Sequence, residues 1–222
     1  MVKPRPVVKI ESAESEIFWS NGKQFVSKEK GNVEVIAAFE KVDDYNLVFD
    51  IEVINNTRDT FLICPEQFYY TKIGQKESDT LQKVMAYDPE VRLFNIEMSL
   101  SKQDADRINS KKTSFLEGAL QVAVDVSPKT DEEREENRAN KRDRKNSQLE
   151  KEEQVISSIN SLNRSKRYWA NEVLRKTTLI PRQAVYGKIY FNRTIPVNGY
   201  ILHIPVGDQI YDFKYSQKVF YP

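Results

Sequence analysis

The sequence predicts an α+β protein in which an antiparallel β-sandwich carries a long inserted antiparallel helical hairpin. Three observations predict it. Short runs of alternating apolar and polar residues, separated by turn formers, fill the first third of the chain. From about Asp88 the apolar spacing changes to three and four, the period of a helix. After Thr177-Thr178 the period of two returns.

Val7, Val8 and Ile10 suggest a first short strand, and Ile17 to Trp19 a second ahead of the Asn21-Gly22 turn. Val33, Val35, Ala37 and Phe39 point to one side of the next strand, with Glu34 and Glu40 on the other. Beyond the turn-forming Asp43-Asp44-Tyr45-Asn46, the residues Leu47, Phe49, Ile51 and Val53 keep a clean period of two. The cluster Asn55-Asn56-Thr57-Arg58-Asp59 turns the chain again. Thr60 to Cys64 then ends at Pro65, which cannot donate to a ladder. Phe68 to Ile73 is a further, aromatic strand.

Asp88-Pro89-Glu90 reads as a helix start, because Asp caps free amides, Pro suits the first helical position and Glu favours the positive helix end. Val91, Phe94, Met98, Ser101, Ala105, Ile108, Lys112, Phe115, Ala119 and Val122 then recur at alternating spacings of three and four until Ser127-Pro128. A run of about 37 residues at 1.5 Å each makes a helix on the order of 55 Å, and its heptad period suggests that this stripe is a coiled-coil seam. Residues 129–153 are almost wholly polar. Val155, Ile159, Leu162, Lys166, Trp169 and Val173 resume the stripe, which places a second helix from about Asn146 to Arg175. Two such helices joined by a charged tip pack as an αα-hairpin, with Trp169 and Phe115 expected at its packing.

Ala184 to Phe191 alternates Val185, Ile189 and Phe191 against Tyr186, Lys188 and Tyr190. Tyr200 to Ile204 and Ile210 to Tyr215 form a hairpin across Gly207-Asp208. The expected organisation is therefore a discontinuous sandwich of seven to nine strands from residues 1–87 and 177–222. Residues 88–176 form the inserted hairpin, its charged tip at about 127–147.

Composition narrows the function classes. The 222 residues carry 34 Lys and Arg against 33 Asp and Glu, a net charge of +1. That balance argues against nucleic acid as the main partner. One Cys and one His cannot make a disulfide framework or a thiolate–imidazole zinc site, so neither a metal nor a cofactor is expected. No run of 18 apolar residues suggests a transmembrane segment. Met1 to Pro6 holds two prolines where a signal peptide needs a continuous apolar stretch.

The block Leu47-Val48-Phe49-Asp50-Ile51-Glu52-Val53-Ile54-Asn55-Asn56 resembles the strand-then-Asn-turn of immunoglobulin-like modules in bacterial exported proteins and lipoproteins. The closing blocks Leu179-Ile180-Pro181, Gly187 to Phe191, Tyr200 to Pro205 and Tyr211-Asp212-Phe213 are similar to the last strands of those modules. The resemblance covers roughly residues 30–75 and 177–216. It implies a periplasmic or cell-surface location with the signal removed, a lipid anchor upstream being compatible, and a binding or structural role rather than an activity. A chain starting natively at Met1 would be cytoplasmic.

No candidate site assembles a catalytic constellation. Cys64 and His203 could in principle make a nucleophile and its base, but both fall in strands without an orienting group beside them. Asp104 and Asp106 are two apart and do not share a helix face, and Asp43-Asp44 lie in a turn. The segment Glu136 to Lys145 is similar to the basic region of a leucine-zipper DNA-binding protein, but Asp143 and the preceding acids interrupt it. Its cations Arg138, Lys141, Arg142, Arg144 and Lys145 are the residues expected to meet a partner at the hairpin tip. The tyrosines are expected to pack one sheet face with their hydroxyls at the edge. The sequons at Asn55 and Asn192 matter only in a glycosylating host. The expected function is a non-catalytic binding or structural module of the bacterial envelope. Its partner is another protein or a second copy. DNA binding through 138–145 and a hydrolase with an unrecognised site are the alternatives.

Overall fold

The computed structural model describes residues 7–43, 45–74, 82–124, 130–194 and 197–220, without the side chains of 114–115, 117–124 and 131–134. Ser127-Pro128, the expected helix end, and Asp44 lie outside the described residues. The protein is α+β, with antiparallel sheets and two helices. It divides into two compact units, one of residues up to 92 and from 169 onward, the other of residues 93–168.

The first unit holds twelve strands among the described residues, more than the seven to nine the sequence suggests. They are β1 (Val7–Ser12), β2 (Phe18–Ser20), β3 (Lys23–Lys30), β4 (Val33–Asp43), β5 (Asn46–Asn55), β6 (Phe61–Ile63), β7 (Tyr69–Ile73), β8 (Lys83–Met85), β9 (Thr177–Leu179), β10 (Ala184–Asn192), β11 (Gly199–Val206) and β12 (Gln209–Phe220). One sheet runs β1-β12-β11-β7-β8, a second β10-β5-β4-β3-β2, and β6 pairs with β9. The extra strands include β3, in which only Phe25 and Val26 interrupt a polar run, and the short β8. Asn21 and Gly22 both take positive φ, as do Gly31 and Asn32. The two tight turns they form join β2 to β3 and β3 to β4 with the twist that antiparallel strands require.

Both five-stranded sheets feed one core. Phe49 on β5 lies 5.0 Å from Tyr215 on β12, ring centre to ring centre, and Tyr70 on β7 lies 5.5 Å from Phe191 on β10. Tyr70, Tyr200 and Tyr211 bury their rings and hydrogen-bond through their hydroxyls. Tyr70 donates to the Asn192 carbonyl at 2.7 Å, Tyr200 to Gln217 at 2.8 Å, and the Tyr211 hydroxyl lies 3.0 Å from the Lys30 and Val33 carbonyls. Burial pushes the Tyr200 phenol up to about 12. Asn55 closes β5 inside the core. Its amide donates to the carbonyls of Asp59 and Leu179 and accepts from the backbone and hydroxyl of Thr57. The sequon at Asn55 is thus fully consumed as a turn device. Chain 172–174 runs beside β10, with Lys188 N–H donating to the Glu172 carbonyl and Leu174 N–H to the Lys188 carbonyl. Gly187 permits this approach, since a Cβ there would sit 2.4 Å from the Leu174 nitrogen.

The helices are α1 (Pro89–Val124) and α2 (Asp131–Asn171). Asp88 caps α1 as expected, its carboxylate accepting from the amides of Glu90 and Val91. Helix α2 begins well before Asn146, where the apolar stripe starts. Residues 131–145 are rich in Glu, Lys, Arg and Ala, which form helix without burying anything. Of the expected charged tip at about 127–147, residues 131–147 are therefore part of α2. Within the second unit Glu97 pairs with Lys166, Gln103 with Ser158 and Lys111 with Glu152, so contacts that climb α1 descend α2.

Two expectations about the helices are corrected. The stripe read as the α1 seam faces outward: Phe94, Met98 and Ile108 are 60%, 58% and 55% exposed. The buried side of α1 is instead Leu93, Ile96 and the half-buried Leu100, a shorter set in a different phase. On α2 the expected stripe is the covered one, with Val155, Ile159, Leu162 and Lys166 half-buried. Trp169 is buried, yet it packs in the first unit, its ring tilted against Tyr190 of β10 at 5.1 Å with the Arg92 guanidinium at 5.8 Å. The side chain of Phe115 lies outside the described residues.

Candidate functional site

Strand alternation places the lone histidine on the outward side of its sheet. His203 on β11 sits between Thr71 of β7 and Asp212 of β12. Nε2 lies 3.0 Å from Thr71 Oγ1, and Nδ1 lies 2.6 Å from Asp212 Oδ1. Tyr69 stacks on the imidazole at 4.5 Å, and Lys83 stands over the Tyr69 ring. This hydroxyl–imidazole–carboxylate order is that of an activated nucleophile. Both β7 and β11 are paired on each side, however, so their amides serve the sheet ladder rather than an oxyanion. The row fixes the ring and ties three strands together. Sequence spacing could not reveal it, because Thr71 and Asp212 meet His203 only through strand register.

Cys64 follows β6 and is buried. His203 has Thr71 and Asp212 as its hydrogen-bond partners, while burial and then the Glu66 carboxylate push the Cys64 thiol up. A raised thiol is a poor nucleophile.

A second polar cluster spans β3, β4, β5 and β10. Asp50 of β5 is 2% exposed on the side of the sheet away from the core. It accepts from Lys188 at 2.8 Å, Lys23 at 2.7 Å and the Tyr186 hydroxyl at 2.9 Å. Glu40 pairs with Lys23 and lies 3.7 Å from Lys188. Burial alone would raise the Asp50 carboxyl, but these donors outweigh it and hold it below the ordinary range. Lys23 and Lys188 are raised in turn, the opposing carboxylates overcoming their desolvation. Each charge has its counter-charge within the cluster, so its chemistry is cohesive. The sequence signal was an Asp within the apolar β5.

In the helical unit the five expected partner-binding cations all lie exposed on α2. Arg138, Lys141, Arg142 and Lys145 share one face by their spacing of three and four, and Arg144 falls off it. Lys145 also lines a cleft of about 380 Å³ with Arg107, Lys111, Leu149 and Val155 among its walls. The apolar counterpart is the outward side of α1. Phe94, Met98 and Ile108 stand there, and Ile108, Lys111, Lys112 and Leu116 enclose a shallow hollow of about 510 Å³. A large apolar stripe left in water is the least expected feature of this surface and the strongest binding candidate.

Among the described residues no group of three or more His, Cys, Asp and Glu could hold a metal ion, and no helix is long and apolar enough to cross a membrane. Comparison with family models, characterised proteins and solved structures yields no match.

Proposed function

We propose that this protein is a non-catalytic binding module of the bacterial cell envelope. In this reading its two five-stranded sheets form an immunoglobulin-like sandwich, and α1 and α2 form an antiparallel helical hairpin that meets the partner. One observation carries the reading: the apolar stripe of α1 faces solvent, with Phe94, Met98 and Ile108 each more than half exposed. A helix apolar on the side turned from its neighbour leaves that side for another protein.

The test is a comparison of stability with exposure. Replacing Phe94 and Met98 together by Ser is expected to change the stability of dilute protein by less than about 0.5 kcal/mol, as for surface positions. A loss of several kcal/mol in urea unfolding would show that these side chains belong to the core of the monomer, and the reading would fall. The envelope placement rests on the strand resemblance. Recovery of the native protein from the envelope fraction supports it, and recovery from the cytosol with Met1 as first residue refutes it.

A further inference from the structure

We propose that the outward stripe of α1 is a self-association surface on which α1 of a second copy packs in parallel as a two-stranded coiled coil. This rests on the reading of that stripe as a binding face, and it names the occupant.

The stripe repeats every seven residues: Met98, Ala105 and Lys112 form one row, and Phe94, Ser101 and Ile108 the other. That is the seam of a left-handed coiled coil, and along α1 it is not spent on α2, which is met from the opposite side through Gln103 and Ser158. The hollow formed by Ile108, Lys111, Lys112 and Leu116 has the three- and four-residue spacing of a hole that receives a knob.

Charge selects the occupant and its direction. Glu97, Asp104 and Lys111 flank the stripe on one side, Lys111 being paired with Glu152 of its own chain, and Lys102 flanks it on the other. In a parallel pair a residue on the first flank meets the residue five positions further on along the second flank of the partner helix. Glu97 then meets Lys102 of the second copy, and symmetry makes the pair twice. An antiparallel pair would set each flank against the same flank of the second copy and leave Glu97 without Lys102. Glu97 also pairs with Lys166 of its own chain at 2.9 Å, but both side chains are about half exposed, so that pair constrains little. Lys112 is a single cation within its row, a device that favours one register and two strands at some cost in stability.

Sedimentation equilibrium of the full chain is expected to show a monomer–dimer equilibrium. Phe94→Ser with Met98→Ser weakens the dimer by about a hundredfold or more. Glu97→Lys loosens it by roughly tenfold, and adding Lys102→Glu restores it. Met98→Cys cross-links to itself on mild oxidation, because parallel register sets Met98 opposite Met98, while the native Cys64 is buried. Three results overturn the proposal: a monomer at every concentration, a dimer indifferent to the Ser pair, or a dimer tightened by Glu97→Lys, which would show that Glu97 does not face Lys102. A monomer whose stability ignores the Ser pair sinks the dimer and leaves the binding face standing. A monomer destabilised by it sinks both.

Discussion

Replacing Asp50 by Ala at neutral pH removes the hub of the cluster on β3, β4, β5 and β10 while leaving its cations in place. Asp50 accepts two charge-assisted hydrogen bonds, from Lys188 and Lys23, and a third from Tyr186. Bonds to charged groups contribute about 1.5–3 kcal/mol each and a phenol about 1, an upper bound near 4–7 kcal/mol. Lys23 is about a third exposed and keeps Glu40 as a partner, so water and that carboxylate return part of the loss. Lys188, 16% exposed, retains Glu40 only at 3.7 Å. The net cost is then about 3–4 kcal/mol, in the range for breaking a buried ion pair. Urea unfolding at pH 7 measures it, with an unchanged m-value showing that the same surface is exposed. Most of the cost comes from stranding Lys188, so adding Lys188→Met to Asp50→Ala should recover a good part of it. The sign of the pH dependence follows from the depressed carboxyl. Its stabilisation is present above the unfolded value of about 3.9 and is lost as pH falls through the lower folded value, so the gap between wild type and Asp50→Ala closes in acid. A neutral-pH loss below about 1 kcal/mol, or a gap of equal size at pH 7 and below pH 3, would refute the reasoning.

Four further outcomes are expected. Asn55→Ala removes the side-chain partner of the Thr57 amide and of the Leu179 carbonyl, while the Asp59 carbonyl keeps the Thr57 hydroxyl, and costs about 2 kcal/mol by chemical denaturation. Gly187→Ala drives a Cβ into the Leu174 backbone and costs about 2–3 kcal/mol, with faster amide exchange at Leu174 and Lys188 as its local signature. Tyr215→Phe removes a buried hydroxyl that has no hydrogen-bond partner among the described residues, and is expected to leave stability equal or higher by about 1 kcal/mol. Trp169→Ala empties the space over Tyr190 and lowers stability by about 3–5 kcal/mol, and an unchanged melt would contradict its burial.

Where a strand carries its own alternation and its own turns, local sequence specifies it. Leu47, Phe49, Ile51 and Val53 point inward because the pleat allows nothing else, and Asn21-Gly22 closes a hairpin because both residues accept positive φ. The strand β3 was hidden because Lys23–Lys30 is polar on its own. It is a strand because β4 pairs along its length, which is information held in another segment. The sites show the same division. Thr71, His203 and Asp212 are 132 and 9 residues apart in sequence, and neither separation suggests a contact without the β7–β11–β12 order. The start of α2 was hidden for the opposite reason: residues 131–145 form helix by propensity alone, so a search for an apolar stripe passes over them.

Helix α1 shows why periodicity finds an amphipathic face without saying what the face meets. It carries two apolar sets on nearly opposite sides. Leu93, Ile96 and the half-buried Leu100 form a short, covered set, whereas Phe94, Met98 and Ile108 belong to a longer stripe that is bare. A hydrophobic pattern ranks the longer stripe first, since it sums over more turns. Burial within one chain is decided instead by what lies opposite, and below Leu100 the covered side of α1 continues through Gln103 and Arg107, polar residues that suit the Ser158 contact. A sequence optimised solely for the monomer would have no cause to extend the longer stripe along the side with no cover, because each exposed Phe or Met there adds a risk of aggregation without adding stability. In the proposed reading the stripe is half of an interface whose other half is supplied by association, and that reading rests on the exposed length of the stripe rather than on the charge of the α2 cations.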